Sequence, residues 1–181
     1  MASHPLTRLP AREPDGGDWN VVIETPKGCR NKFKFDEAAG LFRLSGVLPA
    51  GAVFPFDFGY LPATVGEDGD PLDVLILMDE PVFSGCVVAA RLVGVVEAEQ
   101  AERGGRPERN DRLIAVSADS RNHQSVRSLA DLDKNLLDEI EHFFVSYNQA
   151  KGKRFKPLGR HGPKRAGRLA RAGLKAHGRK S

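Results

Sequence analysis

Apolar and polar positions alternate in short runs over the first two thirds of the chain. "WNVVIE" (19–24), "KFKFD" (32–36) and "LFRLSGVL" (41–48) are separated by the turn-like stretches "PKGCRN" and "EAAG", which predicts strands punctuated by turns. In "KFKFD" the alternation is strict, as in a strand with one face buried. Beyond Pro55, Gly59 and Pro62, "DVLILM" (73–78) is almost continuously apolar and reads as a buried strand. The turn "EPVFSG" leads to a long strand candidate, "CVVAARLVGVVEAE" (86–99). The polar, Gly- and Pro-containing "QAERGGRPERND" (100–111) predicts an exposed loop before the strand "RLIAVSA".

One segment carries the helical period. In "DKNLLDEIEHFFVSYNQAKG" the apolar residues Leu136, Leu137, Ile140, Phe143, Phe144 and Tyr147 recur in steps of three and four, so one face packs on the body. Asp133 is placed to cap the start, and Gly152 to stop the helix. Many short strands and one amphipathic helix predict a mainly β fold, a small closed barrel with a helix against it.

Charge divides the chain in two. Residues 1–150 hold all 24 acids and 15 of the 27 Lys and Arg, whereas residues 151–181 hold the other 12 bases and no acid. The tail, "GKRFKPLGRHGPKRAGRLARAGLKAHGRKS", reads either as a mobile, solvated basic extension or as an electrostatic arm for nucleic acid, polyphosphate or an acidic partner surface. The implied division is an N-terminal extension (1–18), a barrel domain (19–156) and a basic tail (157–181). The first 18 residues lack the apolar core of a signal peptide, and no apolar run is long enough to span a bilayer. Cys29 and Cys86 match neither a disulfide framework nor a zinc-ligand spacing. These features predict a reduced, cytoplasmic protein with no membrane partner.

Candidate chemistry gathers in "DGDPLD" (68–73), where Asp68, Asp70 and Asp73 stand at relative positions 1, 3 and 6 just before the apolar run. Gly69 permits tight curvature, and Pro71 steers Asp70 away from helix. Hard oxygen ligands grouped in this way suit Mg²⁺ or Mn²⁺; the competing reading is an acidic surface turn. Pro71, Leu72 and Asp73 break the pattern of an EF-hand. There is no GxxxxGK[ST], GxGxxG, HExxH or CxxC motif, and the five histidines are scattered.

In order along the chain, "VVIETPKGCRNKFKFD", "DGDPLDVLIL", "EPVFSGCVVAARLVGVV" and "HFFVSY" resemble the soluble, Mg²⁺-dependent inorganic pyrophosphatases of the β-barrel family. The likeness runs from about Trp19 to Lys156. It implies an OB-like five-stranded closed barrel with flanking helices, hydrolysis of pyrophosphate, and a hexameric assembly. It also implies that Asp68, Asp73 and Glu24 hold metal, that Asp70 both contacts metal and acts as base on the attacking water, and that Lys32, Arg112 and Tyr147 bind phosphate. An acidic pocket of this kind must be inverted in sign by metal before a multiply charged anion can enter.

Departures from the family pattern fall on the site. Where the family has an acid, this chain has Lys34; where it has a phosphate-binding arginine, this chain has Gly46. Two tyrosines become Phe54 and Phe58, two aspartates align with Gln100 and Asn110 across a longer loop, and two lysines become Arg112 and Asn148. Glu99, Glu102, Glu108 or Asp111 remain as replacements for a displaced ligand, with Asp111 one residue out of register and so on the opposite face. The expectation is a pyrophosphatase with fewer metals and reduced activity. The alternatives are hydrolysis of another phosphoanhydride and a non-enzymatic OB-like module that binds through its basic tail.

Overall fold

The alternating runs become a closed ring of strands. The computed structural model describes residues 4–13 and 16–179, so residues 1–3, 14 and 15 of the expected extension and 180 and 181 of the tail lie outside it. In chain order the elements are β1 (Trp19–Thr25), β2 (Asn31–Asp36), β3 (Leu41–Val47), β4 (Asp57–Tyr60), β5 (Asp73–Leu77), β6 (Val87–Ala101), β7 (Glu108–Arg109), β8 (Arg112–Ser117), α1 (Lys134–Ala150), β9 (Arg154–His161) and α2 (Pro163–Gly178). Strands β1, β4, β5, β8 and β6 pair in that order, and β6 returns to β1, which closes five strands on themselves. All these pairings are antiparallel except β5–β8. The fold is the mainly β, OB-like, five-stranded ring that was expected, with β2 and β3 forming a separate two-stranded sheet beside it.

Period-two alternation sends the ring's side chains into two apolar clusters. Val21, Ile23, Val74, Ile76, Leu113 and Ala115 join one, together with Ala166 and Ala170 of α2. Leu75, Leu77, Ile114 and Val116 join the other, together with Leu137, Ile140 and Phe144 of α1. Burying each large side chain of this kind contributes roughly 1.5–3 kcal/mol. Asp133 caps α1 by accepting from the Asn135 amide at 2.7 Å, and Gly152 follows the helix at φ +73°. Strand β4 is the ring member with no apolar alternation to announce it. It carries Gly59 because a Cβ there would lie 2.0 Å from the Val22 carbonyl oxygen.

Two expectations need correction. Residues 100–111 are a loop only in part, because β6 continues to Ala101 and pairs with β7. The basic tail is folded rather than mobile. Strand β9 pairs with β6 from Val95↔His161 to Ala101↔Arg154, and α2 follows it. The fully buried stripe of α2 consists of Ala166, Gly167, Ala170 and Gly173, small residues that let the helix pack closely, with Leu169 and Leu174 half-buried against the same core. Glu97 of β6 anchors the segment electrostatically, lying 2.5 Å from Arg165 and 3.1 Å from Arg109.

Candidate active site

A loop held from both sides presents the acidic motif. The Leu61 amide donates to the Leu72 carbonyl (3.0 Å) and the Gly66 amide to the Asp70 carbonyl (2.7 Å), while the Val65 amide reaches the Gly173 carbonyl of α2 (3.1 Å). A Cβ on Gly173 would meet Leu72 at 2.7 Å, so α2 lies directly against the loop that carries the acids. Gly69, at φ +85°, makes the reversal that only glycine adopts without strain. The Asp68 carboxylate then accepts from the Asp70 amide at 3.2 Å. Pairing of Tyr60 with Asp73 starts strand β5.

Asp70 and Asp73 open into one cleft of about 530 Å³. Glu24, Lys32, Arg112 and Tyr147 line the same cleft, which therefore gathers every site residue expected from the sequence except Asp68. Asp68 lines a neighbouring cavity of about 220 Å³ with Asp73, Arg109, Asn110 and Asp111. Asp111 does not line the cleft; it lines the neighbouring cavity beside Asn110, accepting from the Ala98 amide (2.9 Å) and pairing with Arg109 (2.8 Å). Glu102 is bound by Lys153 at 2.6 Å.

Three of the carboxylates in the cleft, Glu24, Asp70 and Asp73, have a cationic partner. The buried Glu24 accepts from Lys32 Nζ at 3.0 Å and from the Phe35 amide at 2.9 Å. Lys32 in turn lies 4.3 Å above the Phe58 ring, a cation–π contact that occupies the face a hydroxyl would otherwise adjoin. Lys34 Nζ sits 2.8 Å from Asp70. Burial works to lower the pKa of this ammonium, but the Asp70 hydrogen bond and the charges of Asp70, Glu24 and Asp73 outweigh it and hold the pKa above the ordinary lysine value. Arg112, first residue of β8 and neighbour of β5, pairs with Asp73 at 2.5 Å. Its guanidinium is fixed 5.3 Å from both Phe144 and Phe155.

The far wall is the last turn of α1. Tyr147 is pushed up to about 12 by burial and by the Asp73 charge, so it stays a neutral donor at physiological pH. Lys151, one turn on, donates to its hydroxyl at 2.5 Å. Burial and the charges of Lys32, Lys153 and Arg112 lower the Lys151 pKa, and among the described residues no carboxylate pairs with it. Asn148 lines the cleft but spends its amide on the Phe144 carbonyl at 2.8 Å. Lys151 and Lys153 both line the cleft, and sequence reasoning passed over them. The i, i+4 spacing from Tyr147 was the available signal for Lys151.

The sequence profile of the inorganic pyrophosphatases matches residues 21–177. The chain belongs to the inorganic pyrophosphatase family. An inorganic pyrophosphatase of Synechocystis is 40% identical over 154 residues, covering 85% of this chain and 88% of that protein. One from Corynebacterium glutamicum is 42% identical over 134 residues, covering 74% and 81%. The crystal structure of the Thermus thermophilus inorganic pyrophosphatase superposes with a TM-score of 0.85 at 33% identity, over 94% of this chain and 97% of that one. The Helicobacter pylori pyrophosphatase gives 0.82 at 32%, over 98% of both. The family match extends to residue 177, beyond the likeness read from sequence motifs, and takes in β9 and α2. No helix among the described residues is long and apolar enough to cross a membrane.

Inorganic pyrophosphatases as a family require a divalent cation, and the donor set here can be tested against one. Among the described residues no three His, Cys, Asp or Glu side chains converge into a ready-made cage. Asp70 and Asp73 nevertheless supply hard oxygens in one cleft, and a small hard cation is commonly held by one or two carboxylates, waters and substrate phosphates. The chemistry fits, with Lys34 and Arg112 in competition for the same oxygens.

Proposed function

We propose that this cleft hydrolyses inorganic pyrophosphate to two phosphates with Mg²⁺, or Mn²⁺ in its place. The observation that carries the reading is the convergence of Asp70 and Asp73 with Lys32, Arg112, Tyr147 and Lys151 on one cleft. When bound at the two aspartates, the cation would lower the pKa of a water and neutralise phosphate oxygens. Asp70 takes the proton of the attacking water as its oxygen bonds to phosphorus. The bridging P–O bond breaks, and its electron pair leaves with the second phosphate. Lys32, Arg112 and Lys151 hold the anionic oxygens, and the Tyr147 hydroxyl donates to one of them. Glu24 keeps Lys32 aimed into the cleft. In the same reading Glu24 and Asp68 serve as outer metal contacts, Asp68 from the adjoining cavity through Asp73.

Phosphate release from pyrophosphate at neutral pH, with Mg²⁺ and then Mn²⁺, tests the proposal beside Asp70→Asn. Loss of a preorganised charged group typically costs roughly 10²–10³ in rate, and that is the expected drop. Wild-type turnover no higher than the variant's at every metal concentration overturns the reading. The family evidence does not favour the alternative of a non-enzymatic module. A homo-oligomer, hexameric as the family resemblance implies, is supported by the exposed apolar side chains of Leu41, Leu44, Val47 and Phe83. Light scattering that returns a monomer would remove the assembly from the proposal.

A further inference from the structure

Helix α2 turns small and apolar residues to the barrel and cations to solvent. On its outer face Lys164, Arg168, Arg171 and Lys175 are all exposed. Their spacing of four, three and four residues sets them within about 60° of the helix circumference, in a line about 16 Å long. None of the four has a carboxylate partner among the described residues, whereas Arg160 faces Asp138 and Glu141, and Arg165 faces Glu97. The acids that reach this segment hold it to the barrel and leave its outer surface uncompensated. The stripe is thus a cationic line on a chain whose first 150 residues carry 24 acids against 15 Lys and Arg.

Four cations at fixed positions on a docked helix suit a polyanion of regular charge. Over about 16 Å one strand of B-form DNA presents about five phosphates, at roughly 3.4 Å each, a close match in number. A protein partner needs an apolar or aromatic centre to its contact, and α2 exposes no large apolar side chain. The same lack disfavours insertion into a membrane surface, which takes an apolar helix face. Single strands are held by stacking their bases on aromatic rings, but the one Phe, Tyr or Trp beyond residue 150, Phe155, is buried. We propose that α2 docks the protein on the phosphate backbone of duplex DNA through Lys164, Arg168, Arg171 and Lys175, without reading base sequence. The arginines offer paired N–H donors that match phosphate oxygens, and the lysines act as point charges. Repulsion between the polyanion and the acidic body orients the docked protein. Docking is independent of the reaction in the cleft. Nucleotide transfer to a DNA end from a triphosphate nevertheless releases pyrophosphate at the duplex, within reach of a protein docked there.

Fluorescence anisotropy of a labelled duplex of about 20 base pairs, titrated with the full chain in KCl from about 50 to 200 mM, tests the docking. The expected dissociation constant at physiological salt is about 10⁻⁴–10⁻⁶ M, the range of sequence-independent binding. The logarithm of the association constant should fall against that of salt concentration with a slope of about −3.6, from about −0.9 for each of four phosphate contacts. Arg168→Gln/Arg171→Gln should bring the slope to about −1.8 and weaken binding about tenfold or more. Should that variant fail to fold, Lys164→Gln/Lys175→Gln takes its place with the same expected slope. A slope unaltered by the substitutions overturns the stripe, because the contact then lies elsewhere, the cationic cleft included. Tighter binding of a single strand, of duplex RNA or of phosphatidylserine vesicles overturns duplex DNA as the partner, as does the absence of binding at the lowest salt. Asp70→Asn should bind the duplex as the wild type does, so a failure of hydrolysis and a failure of docking are separate results.

Discussion

Neutralising Glu97 tests what holds the basic segment to the barrel. Its carboxylate is 11% exposed and faces Arg165 at 2.5 Å, Arg109 at 3.1 Å and His161 at 3.7 Å. Glu97→Gln keeps the shape and removes the charge, leaving cationic groups facing one another across a neutral amide. A hydrogen bond to a charged group contributes about 1.5–3 kcal/mol. Arg165 is 38% exposed, so solvent screens part of its share, and Asp111 still holds Arg109. The net loss is about 2 kcal/mol. For a chain of this size 1 kcal/mol moves Tm by roughly 2–4 °C, so a fall of about 4–8 °C is expected at pH 7, with faster tryptic cleavage between β9 and the start of α2. The effect has a pH signature. Burial raises the Glu97 pKa, but the Arg165 and Arg109 hydrogen bonds outweigh it and set the folded value below the ordinary one. Its stabilisation is therefore complete above the ordinary glutamate pKa and is lost as pH falls through the lowered folded value. Wild type and variant should converge in acid. A Tm unchanged within about 1 °C and an unaltered cleavage pattern would refute the reasoning and leave the β6–β9 ladder, the Arg160 ion pairs with α1 and small-residue packing as the anchors.

Three shorter predictions concern the site and the ring. Lys151→Gln should raise KM for pyrophosphate at least tenfold, from about 1.5 kcal/mol of lost charged hydrogen bonding; an unchanged KM would exclude Lys151 from anion binding. Lys34→Gln should tighten Mn²⁺ binding, followed by electron paramagnetic resonance, by about two- to fivefold, the scale of a solvent-exposed ion pair. No change would mean that the ammonium does not compete for Asp70. Gly59→Ala drives a methyl to 2.0 Å from the Val22 carbonyl oxygen, and such overpacking costs roughly 1–3 kcal/mol or more. A urea midpoint equal to wild type would contradict the closeness of β1 and β4.

Much of this architecture is legible in the sequence, for identifiable reasons. Strands β1, β2, β3, β5, β6 and β8 and helix α1 each carry an apolar period long enough to read, and "DGDPLD" places two of its acids in the cleft. Strand β4 is hidden because its four residues include Gly59 and lie between Pro55 and Pro62. Helix α2 is hidden for a different reason. Its fully buried face is Ala and Gly, with Leu169 and Leu174 beside them, and its partner Glu97 is distant in sequence, so a helical period of mostly small residues is overshadowed by the run of bases, which suggests a solvated tail. Asp68 was grouped with Asp70 and Asp73 by spacing; it lines the adjoining cavity, which shares Asp73 with the cleft.

Strand β6 also sets the order in which the molecule can be finished. One edge of its first half is taken by β1, but the partner of Val95–Ala101 on the β9 side is synthesised only after α1. A nascent chain ending near residue 150 can close the five-strand ring and dock α1 while still presenting that half of β6 as an unpaired edge. Such an edge is a template for another chain. A chain at this stage carries 24 acids against 15 Lys and Arg, so two such chains repel one another through net negative charge. The edge closes when β9 pairs along it and Glu97 takes up Arg165.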